Sequence, residues 1–294
     1  MELRQLEYFA AVARHLHFTR AADELHVAQP ALSQQVRRLE AELGVPLLVR
    51  TTRRVQLTEA GELLLARVAR ALAEIEAARS ELAELTGVLR GRVQIGAMQT
   101  LERLDLPSLI AAFHREHAGV EIVLREMATA QMQRLLRIDE LDCAFLTITE
   151  DLDPALEAAH AYREELVVVS GPSSRWAGRH RVRMAELRDE PFVFFAAGTG
   201  LRAATVRLAA EAGFTPRVAF ETNELSRVRA LAAHGLGVGI VPREAAEAPG
   251  RPVAVASLAP RAHRDVGLAW RAERRASPAA AAFLRFARER LPVR

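Results

Sequence analysis

Residues 18–37 hold the sequence feature that most constrains the fold of this chain. They spell FTRAADELHVAQPALSQQVR, a pattern that predicts two short helices joined by a tight turn. From Pro30 onward, apolar residues recur at spacings of four, three and four, which places them on one face of an amphipathic helix. The segment is therefore predicted to be a helix-turn-helix whose second helix buries one side. The buried stripe is Leu32, Val36, Leu39 and Leu43.

The exposed side of the second helix carries hydrogen-bonding side chains and no acid. Gln, Ser and Arg suit base edges and nearby phosphates in a major groove. Upstream, Thr19 is predicted to cap the first helix, and Ala21 and Ala22 are small enough for two helices to cross closely. The alternative is an ordinary surface helix pair. The predicted DNA contacts on these helices are Thr19, Arg20, Gln29, Pro30, Ser33, Gln34 and Arg37.

A short hairpin is predicted directly after the helix pair. Residues 45–50 and 55–57 are apolar and β-prone, and the TTRR stretch between them is predicted to be a hairpin tip with two cations. Such a wing can lie along the phosphate backbone of DNA. Residues 27–58 hold five arginines against two glutamates, although the formal net charge of the whole chain is only +3. The predicted DNA contacts in this hairpin are Arg50, Arg53 and Arg54.

Residues 3–62 resemble the DNA-binding domain of the LysR-type transcriptional regulators. The matching stretch is LRQLEYFAAVARHLHFTRAADELHVAQPALSQQVRRLEAELGVPLLVRTTRRVQLTEAGE, and its register needs no gap. The spacing of the two helices, the wing and the helix that follows it all agree with the family pattern. In two departures, Ala28 stands where the family usually has a capping Ser, and residues 47–50 lack the usual Phe before the Arg. The resemblance implies a winged helix-turn-helix that binds double-stranded DNA.

A long helix is predicted after the wing. Thr58 can cap a helix that runs from Glu59 to about Leu89. Its apolar residues form a heptad seam, which needs a partner helix. A second copy of the chain is the nearest source, and packing onto the chain's own C-terminal domain is the alternative. The resemblance implies a linker helix that forms a homodimer, within a homodimeric or homotetrameric protein. The seam is Leu64, Val68, Ala71, Ile75, Ala78, Leu82, Leu85 and Leu89.

Strands and helices alternate from residue 92 onward. Such alternation is typical of parallel sheets covered by helices. Two sheets are expected, at residues 92–161 and 162–264, and the final strand and helix are expected to return to the first. The predicted strands are 93–97, 120–125, 141–146, 166–170, 192–195, 218–221, 238–241, 253–256 and 266–270. The predicted helices are 101–117, 129–138, 200–212, 224–234 and 278–290.

This order of elements, with DELD at residues 139–142 and AAHGLGVGIVP at residues 232–242, resembles the effector-binding domain of the LysR type. That domain is similar to periplasmic solute-binding proteins, with a ligand cleft between two lobes. The predicted fold class is α/β, with an N-terminal all-α winged helix-turn-helix and a long linker helix. The predicted domains are residues 1–58, the linker helix 59–89 and the effector-binding domain 90–294. Lobe I comprises residues 92–161 and 265–294, and lobe II comprises 162–264.

An effector cleft is predicted beyond the carboxyl ends of the parallel strands. Thr100 and Thr129 are expected to begin helices there, so that hydroxyl and free backbone N–H groups converge on an anion. Arg202, from the opposite lobe, adds a guanidinium that can grip a carboxylate. In the alternative, the threonines are simple N-caps and Arg202 is a surface ion-pair partner. We expect the ligand to be a small organic acid that is held mainly by Thr100 and Arg202. The other residues expected to line the cleft are Gln99, Thr129, Thr147, Thr199, Gly200 and Asn223.

The sequence contains no motif that supports an enzyme or a cofactor-binding protein. It contains no G-x-S-x-G, C-x-x-C or H-E-x-x-H motif, and a P-loop requires a lysine that the chain lacks. We therefore expect neither an enzyme nor a bound cofactor or metal. The single cysteine, Cys143, is predicted to be a small core residue of a strand. A thiol redox sensor is the less favoured alternative, because the chain holds no second cysteine.

The sequence therefore predicts a ligand-responsive transcriptional regulator with DNA, a small-molecule effector and a second copy of itself as partners. RNA polymerase is a further expected partner. The sequence shows neither a signal segment nor an apolar run of about 20 residues, so we expect a cytoplasmic protein with no membrane contact. Two alternatives remain. One is an α/β enzyme or solute-binding protein fused to a DNA-binding module, and the other is a constitutive DNA-binding protein without an effector.

Overall fold

The N-terminal part of the chain folds into three helices and a small hairpin. The computed structural model describes residues 1–50, 55–84, 89–101, 103–149, 151–272 and 276–292. The predicted buried stripe is confirmed for Leu32, Val36 and Leu39, which have no exposed surface, whereas Leu43 is 38% exposed. The helices are α1 (Leu3–His15), α2 (Phe18–Glu24) and α3 (Gln29–Leu43), and strands β1 (Leu48–Arg50) and β2 (Val55–Leu57) pair antiparallel.

The ends of α2 and α3 differ from one another in how they are capped. The predicted cap at Thr19 is wrong, because α2 begins at Phe18 and the Nδ1 atom of His17 accepts the backbone N–H of Arg20 at 3.4 Å. Ala28 occupies the N-cap position of α3 without a side-chain hydrogen bond, as the departure from the family pattern implies. At its other end, α3 stops at Gly44, whose φ of 72° suits glycine.

The long helix α4 spans Glu59–Glu84. Thr58 caps it as predicted, since its hydroxyl accepts the Gly61 N–H at 3.0 Å and donates to the Pro46 carbonyl at 2.7 Å. Leu89 itself is not helical, and the predicted end near Leu89 stays a prediction because residues 85–88 lie outside the described residues. Val68 is 2% exposed and packs in the core of the DNA-binding domain, so the first part of the seam is used within the chain. Leu85 and the side chain of Leu82 lie outside the described residues.

The rest of the chain forms a two-lobed α/β domain. None of the helices in the described part of the chain has both the length and the apolar composition of a bilayer-spanning helix. The strands are β3 (Gly91–Ala97), β4 (Val120–Glu126), β5 (Cys143–Ile148), β6 (Leu156–Ser170), β7 (Arg181–Val182), β8 (Pro191–Phe195), β9 (Arg217–Thr222), β10 (Gly239–Pro242) and β11 (Ala254–Arg271). The helices are α5 (Leu106–Glu116), α6 (Thr129–Arg137), α7 (Gly200–Glu211), α8 (Leu225–Ala233), α9 (Arg243–Glu247) and α10 (Pro278–Arg290), with a 3-10 turn at Met184–Leu187.

The expectation of two separate parallel sheets is wrong in one respect. Strands β3, β4 and β5 pair in parallel in lobe I, and β8 and β9 do so in lobe II, but the long strands β6 and β11 pair antiparallel with each other through both lobes. The main sheet therefore has the order β10-β6-β11-β5-β3-β4. The predicted strands at 253–256 and 266–270 fall at the two ends of the continuous strand β11, whose pairing with β6 shifts register between Ser257 and Ala262.

Helix α5 begins later than predicted. It starts at Leu106, and the Asp105 carboxylate caps it by accepting the Ser108 N–H at 3.0 Å. Pro107 sits in the first turn, where its missing N–H costs nothing, and it disfavours a helix that extends further upstream. Residue 101 and residues 103–105 therefore lie outside the helix, and Thr100 does not begin one.

Each lobe has its own hydrophobic core. The core of lobe I surrounds Ile95, Phe113, Phe145 and Phe283, and that of lobe II surrounds Phe192. Cys143 belongs to the first core with no exposed surface, which confirms the prediction of a core residue in a strand.

Substitution of Gly61 by Ala tests the packing of the wing on α4. A Cβ atom there would lie 2.1 Å from the Leu47 carbonyl oxygen. Overpacking of this kind costs about 1 to 3 kcal/mol, whereas the gain in helix propensity is about 1 kcal/mol. We expect Gly61→Ala to lower the melting temperature measured by circular dichroism, and the exposed control Glu62→Ala to change it little. A stabilised Gly61→Ala variant would contradict this close approach.

Candidate DNA-binding surface and effector cavity

The polar face of α3 is open to solvent. Gln29, Pro30, Gln34 and Arg37 are exposed, and Thr19 and Arg20 are exposed in the first turn of α2. Ser33 differs from the others, because it is only 8% exposed. Ala21 and Ala22 are buried between the helices, as their size predicts. The structure therefore brings six of the seven predicted contacts of these two helices to the surface.

Glu40 on α3 holds the start of the wing in place, a role that the sequence analysis did not predict. The Oε1 atom of Glu40 accepts the backbone N–H groups of Leu47 and Leu48, at 3.0 and 3.1 Å. These bonds tie the start of β1 to the last turns of α3. The predicted contacts Arg53 and Arg54 lie outside the described residues, as does the side chain of Arg50.

A cavity of about 270 Å³ lies between the two lobes, at the carboxyl ends of β3, β4 and β8. It occupies the position that the topology of an open α/β fold predicts. Six of the eight predicted effector contacts line it: Gln99, Thr100, Thr129, Thr199, Gly200 and Asn223. The other wall residues are Met98, Glu126, Met127, Ala128, Gln131, Phe195, Ala196, Ala197 and Leu201.

The lobe I wall of the cavity contains an unpaired hydroxyl group. Thr129 begins α6, as predicted, and is 6% exposed. Its Oγ1 atom has no hydrogen-bond partner among the described residues. The N-cap residue Ala128 supplies no side-chain bond either, so the first turn of α6 is capped by neither side chain. The backbone N–H groups of Ala130 and Gln131 are already bonded to carbonyl groups, so the Thr129 hydroxyl is the group at this helix end that is left for a ligand.

Thr100 lines the same wall for a reason that the sequence did not reveal. The guanidinium of Arg264 donates to the Thr100 hydroxyl at 2.9 Å and to the Thr100 carbonyl at 2.7 Å. The third group of this cluster is Glu164, which accepts a hydrogen bond from the Nε atom of Arg264. Burial raises the pKa of the Glu164 carboxyl, and the charge of Arg264 opposes that shift.

The lobe II wall is formed by the start of α7. The Thr199 hydroxyl donates to the Ala196 carbonyl at 2.8 Å and accepts the Arg202 N–H at 3.4 Å, so it acts as an N-cap. The Gly198 carbonyl accepts the N–H of Ala130 in lobe I at 3.2 Å. This bond joins the first turn of α6 to the loop before α7 across the cavity edge.

Gly200 and Thr147 approach each other closely between the lobes at this edge. A Cβ atom on Gly200 would lie 2.3 Å from the Thr147 hydroxyl oxygen. Thr147 is 2% exposed, and its hydroxyl lies 3.6 Å from the sulfur of Met98. Thr147 therefore packs beneath the surface against Gly200, and it is not among the residues that line the cavity.

Arg202 does not take the place predicted for it. Its guanidinium donates to the Phe195 carbonyl at 2.9 Å and to the Glu221 carboxylate at 2.6 Å, and it lies over the Phe194 ring. It is absent from the cavity lining, and the six predicted contacts that do line the cavity carry no charge. Glu126 is the charged residue among those that line the cavity, and its side chain is exposed.

The far end of α6 faces the linker helix. Asp139, just beyond α6, accepts a bond from Arg271 on β11 at 2.6 Å, and Arg70 on α4 lies 3.9 Å from the same carboxylate. Arg14 on α1 lies 4.0 Å from Glu140. The nine residues of α6 span about 13 Å, and its two ends therefore lie against the cavity and against α4.

Comparison with known proteins agrees with this architecture. Residues 3–62 match the family model of the bacterial regulatory helix-turn-helix protein of the lysR family, and residues 86–292 match the LysR substrate binding domain. The chain is 33% identical over 275 residues to the DNA-binding transcriptional dual regulator OxyR of Escherichia coli K12, covering 92% of this chain and 90% of that protein. It is 34% identical over 242 residues to the hydrogen peroxide-inducible genes activator of Pectobacterium carotovorum, covering 82% and 80%.

Solved structures give the same result. A variant of full-length OxyR from Pseudomonas aeruginosa superposes with a TM-score of 0.71 at 27% identity, covering 98% of this chain and 94% of that one. Full-length CbnR in complex with its target DNA superposes with a TM-score of 0.62 at 26% identity, covering 98% and 99%. The chain therefore belongs to the LysR family of bacterial transcriptional regulators, with its helix-turn-helix and its substrate-binding domain both present.

Proposed function

We propose that this LysR-family regulator responds to a small organic acid bound in the cavity between its lobes. The observation that supports this proposal most directly is Thr129, whose buried hydroxyl has no protein partner and lies on the cavity wall. Two helices begin at this cavity, and the partial positive charge at their N-termini favours an anion. Thr100, Gln99 and Asn223 add neutral polar groups around the same space.

Peroxide sensing through a disulfide is not supported for this chain, although two of its relatives are named for induction by hydrogen peroxide. Reaction with peroxide requires an accessible thiolate, and a disulfide requires a second cysteine. Cys143 is the single cysteine of the chain and has no exposed surface. A reversible ligand is therefore the better candidate signal.

We infer a homodimer that forms through α4, with a homotetramer as the larger assembly. Ala71 and Ala78 of the seam are exposed, and Ile75 is half-buried beside them. Their positions continue the heptad pattern beyond the part that packs within the chain. Two copies would present two α3 helices to the half-sites of a two-fold symmetric operator. A cytoplasmic location and a contact with RNA polymerase complete the proposal.

Helix α6 supplies a route from the cavity to the DNA-binding domain. Its first turn contacts the ligand cavity and the Gly198 carbonyl of lobe II. Its other end is followed by Asp139 and Glu140, which face Arg70 and Arg14. A ligand that changes the approach of the lobes would move α6 against α4 and so change the spacing of the two α3 helices.

Substitutions in α3 and the wing should affect DNA binding differently. We expect Gln34→Ala to cost about 1 to 3 kcal/mol on the preferred operator and to change base preference, because Gln34 is assigned to base edges. Arg53→Ala should weaken binding to all sequences alike and reduce the salt dependence, because it is assigned to phosphates. Fluorescence anisotropy on operator and scrambled DNA measures both effects. Equal loss of specificity in the two variants would contradict the assignment.

Assembly is tested at Ile75. We expect Ile75→Asp to weaken dimerisation at least about tenfold, because the charge would have to be desolvated in an apolar interface. Sedimentation velocity over a concentration series measures the change. The exposed neighbour Glu74 provides a control, since Glu74→Gln should leave the oligomer unchanged. An unaltered assembly in Ile75→Asp would exclude this part of α4 as the dimer contact.

The effector site is tested at Thr129. A thermal-shift screen of small carboxylic acids on the full chain identifies ligands, because binding to the native state raises the melting temperature. We expect Thr129→Val to weaken the identified acid about tenfold by calorimetry, and Thr129→Ser to retain affinity. Thr149→Val, outside the cavity lining, serves as the control. Unchanged affinity in Thr129→Val, or a cationic ligand from a wider screen, would refute the proposed site.

A further inference from the structure

The ion pair of Arg264 and Glu164 lies behind the cavity wall at the point where β6 and β11 cross between the lobes. The two residues are direct partners in the antiparallel register of these strands. Their side chains are 1% and 0% exposed. Sequence reasoning missed this pair, because each residue lies in a run of charged residues that is typical of a solvated surface.

The contacts of Arg264 are divided between the ion pair and one residue of the cavity wall. Its Nε atom donates to Glu164, while Nη1 and Nη2 donate to the hydroxyl and the carbonyl of Thr100. A guanidinium is planar, so three bonds to two residues fix its orientation. Thr100 is therefore held by two charge-assisted hydrogen bonds although it lies outside any helix or strand.

The hydrogen bond from Arg264 limits how the Thr100 hydroxyl can bind a ligand. A hydroxyl group has one proton to donate, and a guanidinium has no acceptor. Because Nη1 donates to the Thr100 oxygen, the hydroxyl proton cannot point back to Arg264. The Thr100 hydroxyl makes no other hydrogen bond to the described residues. Its proton therefore points away from Arg264, and one of the two lone pairs of the oxygen is occupied by Nη1. The charge-assisted bond from Arg264 also polarises the hydroxyl, which makes Thr100 a better donor than acceptor toward the cavity.

The other cavity threonines do not share this constraint. The hydroxyl of Thr199 is used in both directions within lobe II, and that of Thr129 has no partner to fix its proton. We propose that Arg264 is a specificity-determining positioning residue, which orients the Thr100 hydroxyl as a donor and so selects ligands with an acceptor atom at that point. This inference rests on the proposed effector cavity and names the residue that sets its preference.

The test uses benzoate and benzamidine, which have the same planar shape but offer only acceptors and only donors, respectively. Both are titrated into the full chain by calorimetry or ligand-observed NMR. We expect the parent protein to prefer benzoate, although the nearest charged wall residue, Glu126, would favour the cation. Thr100→Val and Arg264→Lys should each reduce the ratio of benzoate to benzamidine affinity about tenfold, and Thr100→Ser should retain it.

Arg264→Lys keeps a charge beside Glu164 but cannot make three fixed bonds. Circular dichroism reports whether it folds. If it does not, the double variant Glu164→Gln/Arg264→Gln, which buries no unpaired charge, replaces it with the same expected loss of preference. The ratio of the two affinities is the decisive measurement, because a purely structural defect would weaken both probes alike.

The inference is overturned if the parent chain binds no benzoate or prefers benzamidine, or if the variants keep the parental ratio. Ala197→Trp, which fills the cavity from an exposed position on its wall, separates this failure from that of the proposed function. Benzoate binding that Ala197→Trp abolishes, while Arg264→Lys leaves the ratio unchanged, refutes only the role of Arg264. Benzoate binding that Ala197→Trp leaves intact refutes the effector cavity itself.

Discussion

The antiparallel pairing of β6 and β11 is the constraint on which the effector-binding domain depends. Both strands run through the two lobes, and the buried pair of Arg264 and Glu164 lies where they cross. Removing two charges from water is costly, so such a pair contributes geometry more than stability. Here Arg264 also binds Thr100, so the pair holds the part of the cavity wall at Thr100 against β6 and β11. A movement of these strands where they cross between the lobes would therefore move Thr100 as well.

Local signals predicted much of the fold, and non-local pairing was missed. Helices α6, α7, α8 and α10 were located to within one residue at each end, because periodicity and caps lie within each segment. The first ten of the fifteen residues of β6 were not predicted, since their sequence resembles a surface loop. In the structure, His160 and Arg163 form hydrogen bonds with Asp265 on β11, and these contacts become visible only after the strands are paired.

The same distinction explains the candidate site. Six lining residues were predicted because strand ends and helix starts are properties of the backbone, and the topology places them at one edge. Side-chain direction follows from partners that are distant in sequence. Arg202 turns to Glu221, nineteen positions away, and Thr100 binds Arg264, 164 positions away. Pro107 was a local signal for the late start of α5 that the sequence interpretation did not use.

The two arginines beside the cavity are neutralised within the protein, and Glu126 is the charged residue of the lining, so the proposed ligand would be bound by neutral donors. Arg202 is paired with Glu221 and Arg264 with Glu164. A neutral hydrogen bond contributes only about 1 kcal/mol net, and the bond between Ala130 and Gly198 that joins the lobes is of this kind. A ligand can shift an equilibrium only by its difference in affinity for the two states. Because the bonds of the proposed ligand to Thr100 and Thr129 would be similar in strength to this lobe contact, a few of them would suffice to change how the lobes meet.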